Sequence, residues 1–127
     1  MEKLSFGRTI LLVDDYDKAL EFYQRAFNCI IIYDELSPDG DRYLHIGFEE
    51  NAKSGLWLIK DVSNPNLIGN QTGSSPFLVI YTPDIFQIYD HLEEENIELL
   101  TEIAITPQSK FFHCSDLYGN RIVIVER

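Results

Sequence analysis

Val13-Asp14-Asp15-Tyr16-Asp17-Lys18-Ala19-Leu20-Glu21-Phe22-Tyr23 is where one periodicity gives way to another. Before it, Ser5–Val13 is mostly apolar and rich in Ile, Leu and Val, the composition of a buried strand. Asp14 and Asp15 end that run, and the Asp15 carboxylate suits the free N–H groups of a helix's first turn. After it, Ala19, Leu20, Tyr23 and Phe27 recur at spacings of three and four, which predicts a helix over Tyr16–Phe27 with those residues on its apolar face. Asn28 provides a stop, because Asn tolerates the left-handed backbone that closes helices.

Working outward, Cys29–Leu36, Arg42–Glu50 and Gly55–Lys60 read as strands, with a Pro-Asp-Gly-Asp turn at Pro38–Asp41. The polar stretch 61–75 reads as a loop. The pattern then restarts: Pro76–Thr82 as a strand, Asp84 as a cap, and a helix to about Glu95 with Ile85, Ile88, Tyr89 and Leu92 on its apolar face. Ile97–Ile105, Lys110–Ser115 and Arg121–Glu126 follow as strands, the last two joined by a Gly-containing turn at Asp116–Asn120. A shift of 69 residues lays Asp15 on Asp84, Ala19 on Ile88, Leu20 on Tyr89 and Tyr23 on Leu92. The expected architecture is α+β, one domain over residues 1–127 made of two β-α-β-β-β modules, about 5–61 and 76–127. Neither module is expected to bury its sheet alone. Two together curve their sheets into a cup with helices outside.

Composition narrows the partners. The chain has 127 residues, 45% of them apolar, enough for a core without staples. Its 21 acidic and 10 basic residues give a net charge of −11, which disfavours nucleic acid and anionic membranes. No apolar run approaches the length of a membrane span, and the first residues do not read as a secretion signal. Two cysteines, Cys29 and Cys114, lie far apart without metal-type spacing and suit a reduced compartment, so the expected location is cytoplasmic.

The Val13–Tyr23 segment and the closing Asp116-Leu117-Tyr118-Gly119-Asn120-Arg121-Ile122-Val123 together resemble the vicinal oxygen chelate superfamily. That group includes glyoxalase I, bleomycin-resistance and fosfomycin-resistance proteins and extradiol dioxygenases. The family's closing turn usually reads Asp-Pro-Asp-Gly-Asn; here Leu117 and Tyr118 replace its Pro and second Asp. The resemblance covers nearly the whole chain. It implies a small-molecule pocket on the concave face, a homodimer with pockets at or near the subunit contact, and in many members a metal held by His, Gln and Glu.

The positions where the resemblance puts those metal ligands carry other chemistry. The first-strand position falls on Arg8, the fifth-strand position on Phe77 and the last-strand position on Val123; the fourth strand offers Trp57 or Ile59. None has a donor suited to a metal. The expectation is therefore no metal and no cofactor. Strand alternation puts Arg8, Ile10, Leu12, Trp57, Phe77, Val79, Tyr81, Phe111, His113, Arg121, Val123 and Val125 on the concave face. Arg8, Tyr81, His113 and Arg121 are candidate polar handles, and Trp57, Phe77 and Phe111 candidate stacking surfaces. The competing possibility is that these aromatics fill a closed core. His45 is expected to be a packed or edge residue, His91 a solvated one and Cys114 core. Adjacent strand residues face opposite ways, so His113 and Cys114 do not make a nucleophile–base pair, and the catalytic residues are unknown. The favoured function is a metal-free binding protein like the bleomycin-resistance proteins. The alternative is a superfamily enzyme, such as a glyoxalase-like lyase or a dioxygenase, with atypical ligands.

Overall fold

Both helix caps anticipated above are formed. In the computed structural model, which describes every residue but Val62, the Asp15 carboxylate accepts from the Lys18 N–H at 3.0 Å and the Asp84 carboxylate from the Gln87 N–H at 3.2 Å. They open α1 (Tyr16–Phe27) and α2 (Ile85–Glu94). Asn28 closes α1 at φ 61°, its N–H returning to the Gln24 carbonyl.

The strands are β1 (Arg8–Val13), β2 (Ile30–Leu36), β3 (Arg42–Gly47), β4 (Gly55–Lys60), β5 (Leu78–Thr82), β6 (Ala104–Ile105), β7 (Lys110–Ser115) and β8 (Arg121–Glu126). They form two four-stranded mixed sheets, ordered β1-β4-β3-β2 and β5-β8-β7-β6. β1 pairs with β4 and β5 with β8 in parallel, and the other pairs run antiparallel. The chain divides into two compact units, Met1–Pro65 and Asn66–Arg127, each with one sheet and one helix. This is the α+β architecture of duplicated β-α-β-β-β modules.

Within the first unit, α1 covers one sheet face. Leu11, Val13, Leu44, Ile46, Leu56 and Leu58 are buried there, alternating with half-buried neighbours on the opposite, open face. The buried face of α1 is Ala19, Phe22, Tyr23, Ala26 and Phe27; Leu20, expected there, is only half-buried, and Phe22 and Ala26 join the face instead. Within the second unit, Phe112, Cys114, Ile122 and Ile124 are buried on the α2 side, where the Tyr89 and Phe112 rings meet edge to face at 5.0 Å.

The strand bounds depart from expectation in five places, the smallest being β2, which starts at Ile30 rather than Cys29. β1 starts at Arg8, and Phe6 before it is 97% exposed. β3 ends at Gly47, and β5 starts at Leu78, with the Phe77 N–H still bonded to the Arg121 carbonyl. The larger correction is Ile97–Ile105, of which only Ala104–Ile105 is strand. Leu100 and Thr101 both donate to the His113 carbonyl, and the Thr101 hydroxyl takes the His113 N–H. Two donors on one acceptor break the ladder spacing, so only an isolated bridge between Leu99 and Cys114 survives upstream.

The closing turn is tied by one side chain. Asp116 accepts from the Tyr118 and Asn120 N–H groups and from the Asn120 amide, each at 2.9 Å, while Gly119 supplies φ 95°. Gly69 packs its backbone against this turn; a Cβ there would lie 1.9 Å from the Tyr118 carbonyl oxygen. Among the described residues, no helix is long and apolar enough to cross a membrane.

Candidate functional site

The registers show which positions of the two sheets correspond. Trp57 on β4 sits opposite His45, and Val123 on β8 sits opposite His113, so His45 and His113 hold equivalent places. On the edge strands, Arg8 lies beside Gly55, and Phe77 continues the pairing beside Arg121. Each sheet therefore carries a histidine at one fixed place and an arginine that reaches it from different strands.

In the first unit, Arg8 comes from β1. Gly55, its β4 neighbour, has no side chain to stand between them, and the Arg8 Nε donates to His45 Nδ1 at 3.0 Å. The Arg8 Nη1 donates to the Ala52 carbonyl at 2.9 Å and also to that of Lys53, fixing the guanidinium against the 51–54 loop. In the second unit, Arg121 stands on β8 at the place equivalent to Gly55 and puts Nη1 2.9 Å from His113 Nδ1. Arginine has no acceptor, so Nδ1 accepts in both pairs and the imidazole proton sits on Nε2. Burial first, and the adjacent guanidinium second, hold both imidazoles below their ordinary pKa. Both shifts favour the neutral imidazole.

His45, read from the sequence as a packed or edge residue, is half-buried on the interior strand β3. It belongs to a row of rings along the open face: Tyr33 to His45 at 5.5 Å, His45 to Trp57 at 5.4 Å and Trp57 to Tyr43 at 6.2 Å between centroids. Arg8, Ile32, Tyr33, His45, Asn51 and Ala52 line an open cleft of about 450 Å³ beside this row. A register shift in β2 between Ile31 and Tyr33 turns Ile32 over Gly47 and Gly55, where a Cβ would lie 2.6 and 2.9 Å from its terminal methyl. The two glycines make room for that methyl as part of the cleft wall.

The second unit brings fewer of its anticipated residues together. His113 and Arg121 are in contact, and Phe111 stands 6.2 Å from His113 between ring centroids. Tyr81 and Phe111 flank Val125, two residues along the strands from the His113 row. Tyr81 is 62% exposed, with the Arg127 guanidinium over its ring at 4.9 Å. Phe77 is half-buried beside Arg121. Trp57 and Phe111 are also only half-buried, so on these faces the aromatics do not close into a core.

Covalent chemistry has little to work with. Burial pushes the Cys29 thiol up to about 12, and burial reinforced by Asp116 does the same for Cys114. Neither forms a useful thiolate near neutral pH. Among the described residues, no group of three or more His, Cys, Asp or Glu side chains is placed to hold a metal ion. Arg8, Trp57, Phe77 and Val123 do not fit the metal site that the family resemblance implies.

The profile of the Glyoxalase/Bleomycin resistance protein/Dioxygenase superfamily matches residues 5–124, and the chain belongs to that family. An "Uncharacterized protein" of Shewanella frigidimarina (strain NCIMB 400) is 26% identical over 121 residues, 93% of this chain and 90% of that one. Among solved structures, UcmS2 superposes with a TM-score of 0.82 at 18% identity, covering 98% of both chains. TnmS3, an antibiotic binding protein from Streptomyces sp. CB03234, superposes at 0.78 with 23% identity, covering 99% of this chain and 98% of its own. At these identities the structural likeness establishes the fold.

Proposed function

We propose that this chain, acting as one domain, is a binding protein that takes a small organic ligand on the open faces of its sheets without a resident metal. The observation that carries this reading is the Arg–His pair, built twice from different strands. Each presents an imidazole Nε2–H and guanidinium N–H groups on a face whose neighbouring side chains are mainly apolar or aromatic, with Glu35 beyond Tyr43 and Ser115 beside Arg121 as the polar exceptions. A few fixed polar groups in an apolar surround are what orient a ligand. Arg8 and Trp57 are the contacts in the first unit; Phe77, Tyr81, Phe111, His113 and Arg121 are those in the second.

The likeness to an antibiotic binding protein supports sequestration over turnover. So do the protonated thiols and the absence of donors at the family's metal positions. The two free, buried cysteines support a reducing, cytoplasmic setting; family membership supports a homodimer, which light scattering on a size-exclusion column checks, and a clean monomer at high concentration counts against shared sites.

A thermal-shift screen of small anions, aromatic acids and glycopeptide antibiotics, run with and without Ni, Zn, Fe or Mn, tests the reading. A ligand of the native state raises Tm by mass action. Hits that need no added metal and weaken in Arg8→Ala or Trp57→Ala are expected. Stoichiometric metal in the purified protein, with binding that depends on it, would restore a metal-dependent enzyme.

A further inference from the structure

The two Arg–His pairs do not offer a ligand the same surroundings. In the first unit, the Arg8 Nε and Nη1 are engaged by His45, Ala52 and Lys53, which leaves Nη2 and the His45 Nε2–H as the donors at the cleft. Asn51 and Ala52 also line it, and among the described residues no carboxylate does. Tyr33 and Trp57 flank the imidazole on either side within stacking distance. A donor-rich, positively charged corner beside a row of rings selects a flat molecule carrying an oxygen acceptor. It disfavours a cation, despite the chain's net charge of −11.

Resting on the binding-protein reading above, we propose that the first unit's cleft is an anion-selective site for planar aromatic carboxylates. Arg8 and the Nε2–H of His45 bind the carboxylate, and the Tyr33–His45–Trp57 row takes the ring system. The Arg8 bond to Nδ1 makes His45 a donor at Nε2, so Arg8 acts both by contact and by setting its neighbour's tautomer. Ile32, seated over Gly47 and Gly55, supplies the apolar wall.

Trp57 is the single tryptophan of the chain and lies 5.4 Å from His45 between ring centroids, so its fluorescence reports the site directly. The experiment is a titration of the full-length protein with 2-naphthoate, with 2-naphthylmethylammonium and with cyclohexanecarboxylate. Saturable Trp57 quenching by 2-naphthoate is expected, with the ammonium and the non-planar acid at least tenfold weaker. Arg8→Met and His45→Phe, each checked for native circular dichroism, should raise the 2-naphthoate Kd about tenfold or more, the usual effect of losing a hydrogen bond to a charged group. His45→Gln, which keeps an N–H donor, should recover part of that loss. The proposal is overturned if 2-naphthoate does not bind, if the ammonium binds equally well, or if folded His45→Phe and Arg8→Met bind like the parent. Any of these, with metal-independent hits surviving in the broader screen, leaves the binding-protein reading intact; an empty screen removes both.

Discussion

The two units share a chain path and differ in what they do with one sheet face. On the helix side they are near copies: Leu44 and Phe112 hold one place, Ile46 and Cys114 another, Leu58 and Ile124 a third, all buried. On the open side, His45 and His113 coincide but their neighbours diverge. Trp57 becomes Val123, Gly55 becomes Arg121, and Arg8 becomes Phe77. The helix side is constrained by packing, where only size and apolarity matter. On the open side an arginine is held on a histidine in both units, from two different strands, and on the proposed function these pairs are the polar contacts for a ligand.

Substitutions should separate the two faces most sharply in stability. Phe112→Ala removes a fully buried ring and is expected to cost about 3–5 kcal/mol, and Leu44→Ala at the equivalent place about 2–5 kcal/mol. The half-buried Trp57→Ala should cost clearly less than Phe112→Ala while affecting ligand binding more. Urea denaturation of the three variants checks this, and equal losses would erase the distinction between the faces.

A smaller effect separates the units from each other. Gly55→Ala places a Cβ against the Ile46 carbonyl oxygen and the Ile32 methyl, an overpacking expected to cost about 1–3 kcal/mol. Arg121→Ala, at the corresponding place in the second unit, meets no such obstruction and should cost less. A Tm comparison decides it; a neutral Gly55→Ala would mean that both the β3 backbone at Ile46 and the Ile32 methyl give way easily, so that the cleft wall is soft.

The smallest effect is common to both units. Each paired histidine has its pKa lowered in the fold, so the unfolded chain binds those protons more readily. The stability tied to the two neutral imidazoles is complete above the ordinary value of about 6.5 and declines as pH falls from there toward the lower folded values. Tm should drop over that acid window, less in His45→Gln or His113→Gln and least in the double variant. A parallel pH dependence in the double variant would assign the loss to other groups.

What was legible in the sequence was what local chemistry decides. Asp15, Asn28 and Asp84 set helix ends through bonds to residues three or four away, and α1 came out with its anticipated bounds. Arg8, Trp57, His113 and Arg121 fell on the open face by alternation alone. What was not legible depends on partners far along the chain. The interruption of Ile97–Ile105 arises from the Thr101 hydroxyl meeting the His113 N–H, a competition that local β-propensity does not register. His45 read as a packed or edge residue because its hydrogen-bond partner, Arg8, lies 37 positions away. A signal did exist: Gly47 and Gly55 on neighbouring strands mark a place where something crosses the sheet, as Ile32 does.

The central claim is ligand binding without metal, and it is met most directly by one comparison. A hit from the screen is titrated by calorimetry against the protein before and after exhaustive chelation. An unchanged Kd is predicted, because in the proposed site Arg8, His45 and the ring row make the ligand contacts. Binding that disappears on chelation and returns with a divalent transition metal would contradict the account and return the chain to its family's metal chemistry.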